Sequence, residues 1–161
     1  MKTFTRGSIY LAMVAMCLTV ALTGQADAKS KIRFNGFFQG KEIDTPQGNT
    51  TLLVDGSVTG LATHLGEFTV TYKVTVNLAE GSGIGSAHLT AANGDSIFTE
   101  IRGQAEPTET PGINSIEEIN TITGGTGQFA GATGSFTVER LVNLTTGFTS
   151  GSLSGKITVR D

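Results

Sequence analysis

Phe68-Thr69-Val70-Thr71-Tyr72-Lys73-Val74-Thr75-Val76-Asn77-Leu78 decides the fold class. A large apolar or aromatic side chain stands at every second position, with hydroxyl, ammonium or amide groups between. Successive side chains of an extended chain point to opposite faces, so this period of two describes a strand with one buried and one wet face. A helix would need apolar residues three and four apart. Such spacing is hard to find anywhere in the sequence.

Followed in both directions from this stretch, the same alternation predicts eight strands, at roughly 31–40, 52–64, 67–78, 83–92, 95–107, 113–123, 134–143 and 148–160. The connections are short and carry glycine. They include His64-Leu65-Gly66, Ala79-Glu80-Gly81-Ser82 and Thr145-Thr146-Gly147, with Asn93-Gly94 suited to the positive φ angles of a two-residue hairpin. Pro107 and Pro111 interrupt pairing between the fifth and sixth strands. No connection is long enough for a crossover helix, which excludes a parallel sheet. Eight meandering antiparallel strands make either a sandwich or an up-and-down barrel. The barrel is favoured because closure removes both exposed edges, and because Gly36, Gly56, Gly60, Gly103, Gly151 and Gly155 fall within strands, where a small barrel bends.

Residues 1–28 read as a cleaved signal peptide rather than part of the fold. Lys2 and Arg6 precede an apolar run from Ile9 to Leu22, and Ala26-Asp27-Ala28 has the small-x-small pattern of a signal peptidase site. The run is shorter than the roughly 20 residues of a membrane span. The reading predicts an exported protein, periplasmic or extracellular, whose mature chain begins at Lys29 and forms one β-barrel domain over 29–161. Cys17, the single cysteine, lies inside the apolar run, so the mature domain would hold together by its core alone.

Without Lys2, Arg6 and Asp27, the 11 basic and 14 acidic side chains become 9 and 13, a net charge of −4. No basic patch interleaved with aromatics appears. Nucleic acid is therefore excluded as a partner, and so is a membrane surface once the signal is removed.

Between the sixth and seventh strands lies Gly124-Gly125-Thr126-Gly127-Gln128-Phe129-Ala130-Gly131-Ala132-Thr133-Gly134. Gly125, Gly127 and Ala130 match the spacing of a dinucleotide fingerprint, but a strand follows where that motif requires a helix. The reading is instead a compact structural loop formed by Gly124, Gly125, Gly127, Gly131 and Gly134. Phe129 would fold back to plug one end of the barrel. This loop resembles that of the dirigent proteins and the related allene oxide cyclases. Ala62-Thr63-His64-Leu65-Gly66 and Ala91-Ala92-Asn93-Gly94-Asp95 look more like exported bacterial proteins with the same glycine loop. The resemblance implies an eight-stranded barrel without a cofactor, often a homotrimer, that binds a small hydrophobic molecule in its lumen. It supplies no catalytic residue.

Alternation nominates the inward-facing residues. Phe34, Phe38, Val70, Tyr72 and Val74 are candidates for an apolar lumen lining. Glu117 and Glu118 are adjacent in a strand, so one of them faces the lumen. A carboxylate there would be desolvated and useful for acid–base work. Arg140 shares a face with Phe136, Val138 and Val142, and either pairs with that glutamate or holds an acidic ligand group. His64 and His88 lack the spacing of a metal site, and neither a metal nor a cofactor is expected. Three functions fit these features: a binding barrel for a small hydrophobic ligand, a cofactor-free cyclase or isomerase, and a non-enzymatic surface or matrix protein.

Overall fold

The computed structural model describes residues 29–160, so the signal-peptide reading lies outside the described residues. Eight strands follow one another: β1 (Lys29–Gln47), β2 (Thr51–Ala62), β3 (Gly66–Asn77), β4 (Ser82–Ala91), β5 (Ser96–Pro107), β6 (Ile113–Gly125), β7 (Thr133–Asn143) and β8 (Phe148–Arg160). Each pairs antiparallel with the next, and β1 also pairs with β8, closing an up-and-down barrel.

Seven strands fall within two residues of the sequence reading. The exception is β1, which continues to Gln47 instead of stopping near Gly40. Lys41-Glu42-Ile43-Asp44-Thr45-Pro46 is too polar for the apolar pattern to carry through, and barrel closure supplies the missing reason. Strands must tilt and stagger for a sheet to meet itself. β1 pairs with β8 over Lys29–Lys41 and with β2 over Gly36–Gln47, so it must be long enough to serve neighbours offset along its length.

The two ends differ. At one end the β6–β7 connection forms a single 3₁₀ turn, Gly127–Phe129, that folds over the lumen. Phe129 is 1% exposed and belongs, with Leu65, Ile97 and Ala132, to the buried core. Thr126 and Ser96 exchange backbone and side-chain hydrogen bonds at 2.9 and 3.0 Å. The backbone N–H of Gln128 donates to Asp95 at 3.2 Å. Gly127 has φ +56°, and a Cβ there would collide with the Asp95 carboxylate, so only glycine suits the position.

The β4–β5 hairpin differs from the two-residue turn expected of Asn93-Gly94. Gly94 alone has positive φ, at 89°, while Ala91 donates to Asp95 and Gly94 to Ala91, both at 2.9 Å. These bonds enclose the three-residue loop Ala92-Asn93-Gly94, the arrangement in which a right-handed turn ends in one left-handed glycine. The Asn93 side chain holds it, accepting from the Asp95 N–H at 3.0 Å.

Midway along the lumen, Phe34, Phe38, Val58, Val70, Leu89, Phe136 and Leu153 fill the barrel. Phe34 meets Phe136 edge-on, with ring centroids 5.1 Å apart. The other end, ringed by the β1–β2, β3–β4, β5–β6 and β7–β8 turns, is open.

Candidate functional site

The open end holds a cavity of about 560 Å³. Leu52 and Val54 of β2, Val74 and Val76 of β3 and Val142 of β7 supply its apolar wall. Below it lies a second space of about 40 Å³, bordered by Phe38, Val70, Tyr72 and Leu153. Glu118 and Arg140 border both and form the layer between them. Broader depressions on the outer wall, one beside Phe37 and Leu61 and one across Ile43 and Phe98, are shallow. The mouth is the candidate site because buried charged groups converge beneath it.

Arg140 is the centre of that layer. Its Nη1 donates to Glu42 Oε2 at 2.7 Å and to Thr149 Oγ1 at 3.1 Å. Nη2 and Nε donate to Glu118 Oε1 at 3.1 and 3.4 Å. The Tyr72 hydroxyl donates to Glu42 Oε2 at 2.7 Å, and the guanidinium carbon lies 5.3 Å from the Tyr72 ring centroid. Each charged side chain is more than nine-tenths buried.

Glycine makes these approaches geometrically possible. Gly56 stands between Glu42 and Tyr72 in the strand registers, opposite Glu42 on one side and Tyr72 on the other. A Cβ on Gly56 would lie within the Tyr72 ring, so its absence lets the phenol reach across β2 to the carboxylate. Gly103 similarly faces Glu118, and Gly151 faces Arg140.

Burial alone would pull the pKa of Arg140 down. The neighbouring Glu118 carboxylate, with Tyr72 and Glu42, more than offsets this and raises it above the ordinary guanidinium value. Burial also raises the Tyr72 pKa, with Arg140 opposing and Glu42 adding to the rise. Both groups are therefore held protonated. At the rim, partial burial and the field of Glu42 raise the Asp44 pKa, with Arg140 partly countering them.

Of the residues singled out in the sequence, the structure brings Tyr72, Glu118 and Arg140 together. Glu118 is the inward member of its pair, while Glu117 is exposed on the outer wall. Arg140 pairs with protein carboxylates, the first of the two roles open to it. Val74 stands in the mouth wall, Phe38 and Val70 line the lower space, and Phe34 is fully buried against Phe136. Gly124, Gly125, Gly131 and Gly134 belong to the capped end, remote from this site. His64 occupies the β2–β3 turn with φ 64°, and His88 stacks on Phe98 on the outer wall. Among the described residues no group of three His, Cys, Asp or Glu side chains is placed to hold a metal ion.

Sequence reasoning missed Glu42 and Thr149. A signal for Glu42 existed. It has the same parity as inward-facing Phe34 and Phe38, but only if β1 is carried past Gly40. Thr149 shares parity with Leu153 and Ile157 in β8 and was hidden by its polarity.

No family model matches the chain, and no curated protein matches it. Three solved chains do, and two of them are dirigent proteins. One pterocarpan synthase dirigent protein superposes with a TM-score of 0.60 at 13% identity, covering 96% of this chain and 99% of its own. A second has a TM-score of 0.54 at 14% identity, covering 83% of this chain and 96% of its own. At these identities the likeness concerns the fold. The chain has the closed eight-stranded β-barrel fold seen in dirigent proteins.

Proposed function

We propose that this is an exported barrel that binds a small apolar molecule in the mouth of its lumen. The observation that carries the reading is the cavity of about 560 Å³, walled by aliphatic side chains over a fixed polar floor. Its size falls within the roughly 300–1,000 Å³ of small-molecule sites, and apolar walls with a few convergent polar groups are their usual make-up. A fixed ion network also favours a preformed site, which saves the ordering cost of binding.

Two structural neighbours are named synthases, so a cyclase or isomerase using the same cavity is the alternative. Proton-transfer chemistry would need a group that gives or takes a proton near neutral pH. Tyr72 and Arg140 are both stabilised in their protonated forms, which favours binding over chemistry at these two residues.

Nile red, a neutral probe, should bind saturably at one site per barrel with a blue-shifted emission. Leu52→Trp places an indole in the mouth, above the ion network. It should weaken probe binding at least tenfold while leaving far-ultraviolet circular dichroism unchanged. An unsaturable signal, or one insensitive to Leu52→Trp, would refute the site. Export rests on the residues before Lys29, and Edman sequencing of protein recovered outside the cytoplasm should begin at Lys29. Recovery of a chain starting at Met1 would overturn that part.

A further inference from the structure

The mouth cavity is more selective than its apolar wall suggests. Its border carries the carboxyl groups of Glu42, Asp44, Glu80 and Glu118 against the single guanidinium of Arg140. Arg140 already directs four N–H contacts to Glu42, Glu118 and Thr149. That commits four of its five N–H groups, so an incoming carboxylate finds at most one donor and must sit beside two buried carboxylates that already share the positive charge; taking more would leave a buried glutamate uncompensated, a costly exchange. The glutamates have the opposite character. Glu42 receives both its hydrogen bonds on Oε2, from Tyr72 and Arg140, and Glu118 receives both of its own on Oε1, from Arg140. Oε1 of Glu42 and Oε2 of Glu118 accept no hydrogen bond within the described protein. Neither oxygen is sealed from the surrounding space, since among the described residues no fully buried polar side-chain atom lacks a partner. Two side chains more than nine-tenths buried thus keep an acceptor available beneath an aliphatic wall.

We propose that the mouth selects an apolar ligand with a cationic, ammonium-type head over the carboxylate of the same shape. The tail lies against Leu52, Val54, Val74 and Val76, and the head donates to the free oxygens of Glu42 and Glu118. Asp44 and Glu80 at the rim attract the cation and repel an anion. This selectivity rests on the binding reading above and adds the charge of the ligand to it.

Three probes with one tail separate the outcomes: octylamine, 1-octanol and octanoate, titrated calorimetrically into the barrel at pH 7 and low salt. Octylamine should bind at least tenfold tighter than octanoate. The double variant Asp44→Asn/Glu80→Gln, which leaves the buried network intact, should lower the octylamine-to-octanoate affinity ratio at least fivefold. Leu52→Trp should weaken octylamine at least tenfold, placing it in the mouth. Octanoate binding as tightly as octylamine would overturn the selectivity while the binding reading stands. An amine preference untouched by the double variant, or by Leu52→Trp, would place the cation elsewhere and also overturn it. If none of the three binds, the binding reading falls and the selectivity with it.

Discussion

Arg140→Met should destabilise the barrel by about 3–5 kcal/mol, the cost of leaving buried carboxylates without their counter-charge. Two glutamates, not one, depend on this guanidinium. Glu42 accepts from it at 2.7 Å and Glu118 at 3.1 Å, and both side chains are almost completely enclosed. Methionine fills much of the space but removes every donor. For a domain of this size the loss corresponds to a fall in melting temperature of about 10–20 °C. The triple variant Arg140→Met/Glu42→Gln/Glu118→Gln removes the orphaned charges and should recover at least a third of the loss. Thermal unfolding of the three proteins checks both statements. A single variant within about 1 kcal/mol of the parent would mean that the network is not load-sharing in this way, and that solvent replaces the guanidinium freely.

Phe129→Ala should cost a similar amount, about 3–5 kcal/mol, for a different reason. Phe129 is the one large apolar side chain in the glycine-rich connection, and it is 1% exposed. It closes the end of the barrel opposite the mouth. Its loss leaves a cavity that the turn cannot collapse into, because Gly127–Phe129 is held by Ser96, Asp95 and the β6 and β7 ends. Chemical denaturation should show a lower midpoint with an unchanged slope. A midpoint matching the parent would mean that the turn is not part of the cooperative core.

Strand identity and strand number were legible in the amino-acid sequence, as was the inward side of β1, β3 and β7. The alternation around Tyr72 fixes a pleated surface with one dry face. The same parity placed Arg140 inside and reduced Glu117 and Glu118 to one inward member. The loop with Phe129 was legible because closely spaced glycines around one large apolar residue leave few alternatives to a capping turn. Three other features follow from the assembled barrel alone. Period-two reasoning is local, whereas the length of β1 follows from the stagger that closes the barrel, so Glu42 emerges only once β1 is paired with both β2 and β8. The choice of Glu118 over Glu117 depends on strand register against β5 and β7, which places Gly103 beneath it and Arg140 within reach. Which part of the lumen stays open was also beyond a reading of single strands. It depends on how side-chain volumes from all eight strands sum at each level: aromatic rings fill the middle, while valines, leucines and glycines leave space at the mouth.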